Sequence, residues 1–509
     1  MQRTLMRRRL AWGAAVALAG IGAVLVATSL GGSGPGREGA VRPVDAGARN
    51  RTDVTAHNSP TLVANPTRPA NLVVVNRVDS PLFSCAVHIS FDGGRQWEPG
   101  RLPFPAGEED PPRCFAPDAA FGPDGRLYVS FVTLAGPGNV PHAGWTTTST
   151  DGGRSFGAAA RLTGPLGFQL RVAADPERAG RVWASWLQAS GTGTLSFPDT
   201  GNPVMVARSD DGGTSWSAPV RASAATRARV VAPSIASGAG GDVYVLYLDV
   251  GDDRLDYHGA HQGRGGEPDA GPWSLVLARS TDGGATWAET LVDGAVVPTE
   301  RFIVFIPQSP SLAVDPARHR VYAAFHDGRD GDADVRVWAS ADDGGHFGPP
   351  ARVNDNPVRD GTAQYLPRLA VAPGGRLDVA FYDRRDDRAD HRNEVSLQSS
   401  SDAGRSFGPR VAVSDRSFDA GIGFGSERGL PDLGSRLALV SDADRARVVW
   451  TDTRAGTVAS GKQDLAVAVV RLRQGAGFRF ALGVLGVVAV LAGATVALGP
   501  LARSLSVPG

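Results

Sequence analysis

A chain of 509 residues is longer than one small core requires. Its 65 Gly and 36 Pro, with short runs of Val, Thr, Phe, Tyr and Trp between them, argue against a helical protein and for many short strands. Lys plus Arg and Asp plus Glu balance at 52 each, which excludes the basic surplus of a nucleic-acid binder.

The chain opens with Arg3, Arg7, Arg8 and Arg9, followed by an uncharged, mostly apolar stretch over residues 11–30. A helix of that length, at 1.5 Å per residue, crosses a hydrocarbon core of ~30 Å. A basic flank before an apolar stretch marks export with the N-terminus inside, so residues 1–30 read as a cleaved signal peptide or a retained signal anchor. Residues 31–52 read as a flexible Gly/Pro/Arg linker.

From residue 53 to 473 one pattern recurs, Ser-x-Asp-x-Gly-x-x-aromatic. It occurs at Ser90-Asp92-Gly94-Trp97, Ser149-Asp151-Gly153-Phe156, Ser209-Asp211-Gly213-Trp216, Ser280-Asp282-Gly284-Trp287, Ser340-Asp342-Gly344-Phe347 and Ser400-Asp402-Gly404-Phe407. The starts lie 59, 60, 71, 60 and 60 residues apart, a spacing that chance does not produce. Locally, the Asp accepts backbone N–H groups of its own turn, the Gly takes a positive φ and the aromatic packs between sheets. The six carboxylates are therefore hairpin staples and not catalytic acids.

A second unit, an apolar run, a turn and a Val/Tyr-rich strand, precedes each motif. It begins near Pro60, Pro117, Leu170, Pro233, Pro310, Pro367 and Pro431, seven copies against six motifs. Each unit reads as strands A and B, then C, the motif as a C–D turn, and D. The predicted fold is all-β, a seven-bladed β-propeller, with six blades and an irregular cap as the alternative. The last blade lacks a D strand, which residues 52–56 could supply. Two thiols in an exported domain predict one disulfide, Cys85–Cys114, and the repeat puts them on adjacent blades. The chain closes with an uncharged apolar stretch after Arg479, so residues 478–501 read as a transmembrane helix and 502–509 as a cytoplasmic tail. The propeller is then expected outside the cell membrane.

These motifs resemble the Asp-box (BNR) repeat of sialidases and related propellers. Residues 280–287, STDGGATW, match that consensus throughout, whereas Gln96 and His346 replace the usual Ser or Thr. The resemblance covers about residues 55–473 and speaks for fold more than for activity.

Blade topology puts the start of A and the end of B on one face, opposite the Asp boxes. The residues after the strand-A prolines form a ring, Thr61, Asp118, Arg171, Ser234, Ser311, Arg368 and Asp432. They face a ligand or pair between blades. The strand-B ends carry Asp327-x-Arg329, Asp383-x-Arg385 and Asp452-x-Arg454, which read as repeated blade-to-blade ion pairs or as ligand groups. Asp249 holds the same place in blade 4, followed by the longest loop, residues 250–272, with Asp252, Asp253, Asp256, Tyr257, His258, His261 and Glu267. Such a loop could hold Ca²⁺, although no regular ligand spacing supports a metal or other cofactor.

The sialidase resemblance implies three arginines on a substrate carboxylate, a Tyr nucleophile paired with a Glu, and an Asp acid/base. Arg171 and Arg368 are candidates for two of the arginines, with Arg301 or Arg113 third. Tyr365 or Tyr382, with Glu427 or Glu300, are candidates for the nucleophile pair, and Asp118 for the acid. The family's Phe/Tyr-Arg-Ile-Pro motif is absent; Phe305-Ile306-Pro307 lacks the arginine. The expectation is a membrane-tethered propeller that binds a glycan, cell-wall or protein ligand. The alternatives are a divergent exo-sialidase-like glycoside hydrolase and an assembly factor for a membrane complex.

Overall fold

The computed structural model describes residues 35–50, 53–108, 112–191, 202–227, 229–251, 253, 271–299, 308–426 and 433–472. These form seven four-stranded blades, with strands A to D running outward. Blade 1 holds His57–Ala64, Leu72–Val78, Ser84–Ser90 and Glu98–Gly100; blade 2 holds Arg113–Phe121, Leu127–Ala135, Val140–Ser149 and Ala160–Thr163. Blade 3 holds Gly167–Ala174, Val182–Gln188, Val204–Ser209 and Val220–Arg221; blade 4 holds Val230–Ser237, Val243–Asp249, Trp273–Ser280 and Ala288–Val296. Blade 5 holds Ser311–Asp315, Arg320–Asp327, Asp334–Ser340 and Ala351–Arg352. Blade 6 holds Gln364–Val371, Leu377–Asp383, Arg392–Ser400 and Val411–Ala412, with Phe418–Asp419 as an extra strand against its strand C. In blade 7, A, B and C are Ala438–Ser441, Arg445–Asp452 and Asp464–Arg471, and D is Gly36–Pro43. Strand A of each blade touches strand A of the next, and blade 7 meets blade 1, so the A strands ring a central axis.

The B strands read as near-continuous apolar runs because blades cover both of their faces. Every residue of Leu72–Val78 and of Leu377–Asp383 is buried. Trp183, Trp186, Trp338 and Trp450 are sealed between blades. Burial of each such side chain contributes about 2–3 kcal/mol, which is why the blades hold face to face.

The six Ser-Asp-Gly turns behave as their residues dictate. In the third, Ser209 Oγ donates to Asp211 Oδ1 (2.8 Å), Gly213 N donates to Ser209 Oγ (2.8 Å), and Ser215 donates to Asp211 through both its N–H (2.9 Å) and its hydroxyl (2.5 Å). His346 replaces that hydroxyl in the fifth turn, its Nδ1 lying 2.7 Å from Asp342 Oδ2. The glycines let the preceding blade approach. Trp183 Nε1 donates to Gly283 O (2.9 Å), Asn71 Nδ2 to Gly152 O (3.1 Å), and Arg447 Nε of blade 7 to Gly93 O of blade 1 (3.2 Å). Gly344, at φ 85°, has no room for a methyl, since a Cβ there meets Leu277 of blade 4 at 2.5 Å.

The hydroxyl and N–H of Ser215 hold the Asp211 carboxyl down at about 2. For Asp151 and Asp402 slight burial pushes the other way, but the equivalent serine bonds outweigh it and the carboxyls also sit at about 2. A folded-state value below the unfolded one stabilises the fold fully above about pH 4, and the contribution is lost as pH falls towards 2. Asp211→Asn is therefore expected to lower the melting temperature at pH 7 and to shrink the loss of melting temperature between pH 4 and pH 2.

Closure differs from the expectation. Strand D of blade 7 comes from Gly36–Pro43, not from residues 52–56, so these eight residues of the expected linker belong to the propeller. The sequence GREGAVRP buries little and alternates weakly; it is an edge strand held by its backbone rather than by an apolar face. Thr55 and Ala56 still meet the closure. Gln463 N donates to Thr55 O (3.1 Å), and Ala56 forms a parallel bridge with Gln463. Past the strand, Val44 N donates to Leu465 O (2.8 Å), and Asp45 Oδ2 accepts Leu465 N (2.7 Å). Lys462, the chain's one lysine and 1% exposed, donates to Gly47 O (2.8 Å) and Asn50 O (2.6 Å) of the following 3₁₀ turn.

Cys85 and Cys114 are disulfide-bonded, with Cα atoms 5.5 Å apart, and join blades 1 and 2. Cys114 lies inside strand A of blade 2. The bond closes a loop over a sequence separation of 29. Cys85→Ser with Cys114→Ser is expected to cost about 3–4 kcal/mol, read as a lower denaturant midpoint in the paired variant.

Residues 1–30 and 478–509 lie outside the described residues. Among the described residues no helix is long and apolar enough to cross a membrane.

Candidate functional site

Five A strands carry the same irregularity. Ser59, Ala116, Gln169, Ala232 and Leu366 have φ of 53°, 47°, 55°, 58° and 53°, each two residues before a ring residue. The pairing with strand B slips there, between Asn58 and Thr61, Phe115 and Asp118, Phe168 and Arg171, Val231 and Ser234, and Tyr365 and Arg368. These are β-bulges with a left-handed residue, a conformation that costs non-glycine residues of order 1 kcal/mol or more. A bulge re-aims the side chain that follows it. Here it does so around the axis.

The re-aimed side chains fall into two groups. One group staples neighbouring blades. Thr61 Oγ1 donates to Asp118 Oδ1 (2.8 Å), and Asp118 Oδ2 accepts Val172 N (3.1 Å). Ser234 Oγ donates to Pro310 O (2.6 Å), and Ser311 Oγ accepts Leu369 N (2.9 Å). The other group is cationic. Arg171 is 8% exposed and Arg368 partly buried. A third guanidinium joins them, Arg436, 7% exposed, whose Nε donates to Thr61 Oγ1 (3.0 Å) and Nη2 to Pro117 O (2.7 Å).

Burial pushes all three arginines below their ordinary range. Arg171 pushes Arg436 down further, Arg368 adds to this, and Asp118 opposes it. Arg171 likewise lowers Arg368, while Asp118 raises both Arg171 and Arg368. Thr61 Oγ1 links Arg436 to Asp118, accepting from the one and donating to the other, and the charge of Asp118 acts on all three arginines. Among the described residues, three guanidinium groups stand against one carboxylate here. Among the described residues none of the three has an ion pair within 4.0 Å. Arg171 donates weakly to Leu170 O (3.3 Å) and to Ser309 Oγ (3.5 Å). Beside Ser309, Gln308 is 4% exposed, and neither atom of its amide is hydrogen-bonded. Such a site suits an anion with further polar groups.

Of the expected site residues, Asp118, Arg171 and Arg368 come together. Arg436 was not expected. Its signal is a phase-shifted repeat: Ser435-Arg436-Leu437-Ala438-Leu439 repeats Pro367-Arg368-Leu369-Ala370-Val371, whereas the count from Pro431 put Asp432 in the ring. Asp432, Glu427, Glu300 and Arg301 lie outside the described residues. Arg113 donates to Asn139 Oδ1 (2.6 Å).

Tyr365 and Tyr382 are both packed inside blade 6. They are 1% and 0% exposed. Asn393 Nδ2 donates to the Tyr365 hydroxyl (2.8 Å), and Thr451 N donates to the Tyr382 hydroxyl (3.1 Å). Burial pushes both phenols up, away from nucleophilic use. They are inter-strand struts.

Arg329, Arg385 and Arg454 form ion pairs between blades, the first of the two roles expected for them. Each holds the Asp two residues before it and a second carboxylate from the preceding blade. Arg329 bridges Asp327 (2.6 Å) and Asp293 (2.7 Å). Arg385 bridges Asp383 (2.7 Å) and Asp355, and Arg454 bridges Asp452 (2.5 Å) and Asp415. Asp327 and Asp383 are sealed under these pairs. In blade 4, Asp249 is paired the other way round, with Arg227 (2.9 Å) from the preceding loop, which also holds Glu289 (2.7 Å). Of the long loop after Asp249, only residues 250, 251, 253, 271 and 272 are described, and Asp253 Oδ2 accepts Trp273 Nε1 (3.0 Å). Among the described residues no three His, Cys, Asp or Glu side chains are grouped to hold a metal.

No family model and no curated protein matches the sequence. Solved structures do. A protein of unknown function from Dyadobacter fermentans is 16% identical with a TM-score of 0.45, over 86% of this chain and 100% of that one. The GH93 α-L-arabinofuranosidase of Fusarium graminearum with arabinobiose is 16% identical with a TM-score of 0.43, over 73% and 96%. The phage phi92 endosialidase is 10% identical with a TM-score of 0.45, over 83% and 68%.

Proposed function

We propose that the protein is a membrane-tethered, extracytoplasmic Asp-box propeller that binds an anionic glycan or similar acidic polymer. Its site is the axial cluster of Arg171, Arg368 and Arg436. The observation that supports this reading is a charge imbalance among the described residues: three bulge- and turn-positioned guanidinium groups stand against one carboxylate, Asp118. A carboxylate or sulfate ester supplies the missing counter-charge and accepts fork-like hydrogen bonds. Arginines that served only to join blades would be matched by acids, as Arg329, Arg385 and Arg454 are.

The test is binding of the full chain in detergent to sialyllactose, polygalacturonate and neutral lactose. Anionic ligands are expected to bind and lactose not. Arg368→Ala and Arg436→Ala should each weaken the anionic ligands about 10–100-fold, the worth of a charge-assisted hydrogen bond. Equal binding of lactose, or affinities unmoved by either substitution, would overturn the reading. The glycosidase alternative draws on the same cluster, with Asp118 as its acid. Turnover of a fluorogenic sialoside that vanishes in Asp118→Asn would replace binding with hydrolysis.

A further inference from the structure

The two ends of the described chain leave the propeller together. Strand C of blade 7, Asp464–Arg471, follows strand B from the loop face, so it runs towards the face of the Ser-Asp-Gly turns, as strand C does in every other blade. Strand D, Gly36–Pro43, lies beside it, and residue 44 at its far end bonds to Leu465 at the start of strand C (2.8 Å). The two strands are therefore antiparallel. Gly36 and Arg471 both lie at the edge of the turn-bearing face.

This placement matters because the apolar segments attach there on short leashes. Between the N-terminal apolar stretch and strand D lie residues 31–35, at full extension about 18 Å. Between strand C and the C-terminal apolar stretch lie residues 472–479, about 28 Å fully extended. A blade strand of eight residues is about 26 Å long, which sets the depth from one face to the other. To turn the loop face to a membrane, the chain exits would have to stand off by that depth. The first leash cannot reach it, and the second reaches it only with every residue at full stretch.

Resting on the tethered reading above, we infer that the bilayer lies against the Ser-Asp-Gly-turn side of the propeller, at blade 7, and that the face of the B–C loops, where the A strands begin, points away from the membrane. The protein then meets a ligand that arrives from outside, such as an extended polymer, and not the head groups of its own bilayer.

The experiment uses the full chain reconstituted into phosphatidylcholine vesicles carrying a trace of rhodamine-labelled lipid. Both native cysteines are in the disulfide, so an introduced cysteine is the sole thiol. Arg95→Cys and Arg405→Cys report from exposed positions in two turns, Leu82→Cys (52% exposed) and Val458→Cys (53% exposed) from two B–C loops. Each is labelled with a donor dye after reconstitution and read by energy transfer to the lipid acceptor. The turn positions are expected to transfer about twofold or more above the loop positions, given a depth of about 26 Å. Equal or reversed transfer in vesicles that carry the protein on flotation overturns the orientation alone. Failure to float with the vesicles overturns the tether and the orientation with it.

Discussion

Deletion of residues 36–43 from the full chain is expected to abolish cooperative unfolding of the propeller. The segment looks dispensable, being charged, nowhere fully buried and without an apolar stripe. Its worth lies in its backbone. An eight-residue edge ladder contributes about 1 kcal/mol per hydrogen bond, and the sum rivals the 5–15 kcal/mol that separates most folded domains from their unfolded chains. Removing it also uncovers strand C of blade 7, an unpaired edge that invites pairing with another chain. The measurement is thermal unfolding with limited proteolysis. Retention of a sharp transition within a few degrees of the native one would show that blade 7 closes without this strand. Glu38→Ala, which breaks a half-exposed pair with Arg445 (2.9 Å), serves as control and should cost less than about 1 kcal/mol.

The second large effect separates two carboxylates on one arginine. Arg385 holds Asp383, whose side chain is 0% exposed, and Asp355, 42% exposed. Asp383 also accepts Ser396 Oγ (2.6 Å) and Gln364 Nε2 (3.3 Å), and Arg410 stands 3.6 Å away. Asp383→Ala leaves two guanidinium groups short of a buried counter-charge and is expected to cost about 3–5 kcal/mol. Asp355→Ala, at the wet end of the same arginine, should cost about 1 kcal/mol or less. Chemical denaturation of the two variants gives both numbers. Similar losses would mean that burial does not set the worth of these pairs. The contrast also bears on the site: arginines that hold blades together here sit on acids, and the axial three do not.

The repeat made the propeller legible. A motif every 60 residues counts blades, and its own chemistry says that it is a turn. The Asp-x-Arg pairs were legible as one of two readings, since three copies at equal places suit a structural job. Three things were hidden, each for a physical reason. The closing strand carries no burial signal, because an edge strand at the rim needs none. Arg436 was masked because blade 7 has Ser435 where the other blades place Pro or Leu, so counting from Pro431 lost the phase. Tyr365 and Tyr382 looked available because topology places them at a strand start and a strand end, and only packing shows that Asn393 and Thr451 hold their hydroxyls. The bulges left no trace in the sequence, since Ser59, Ala116, Gln169, Ala232 and Leu366 share no residue type suited to a left-handed backbone.

Lys462 gives the closure a chemical handle. It is the chain's one ε-amine, and it is spent on two carbonyls of the segment that completes blade 7. An acylating reagent cannot reach it in the closed ring. Its rate of modification, followed by mass spectrometry at the single peptide that contains it, therefore measures how often the ring opens, without any engineered probe.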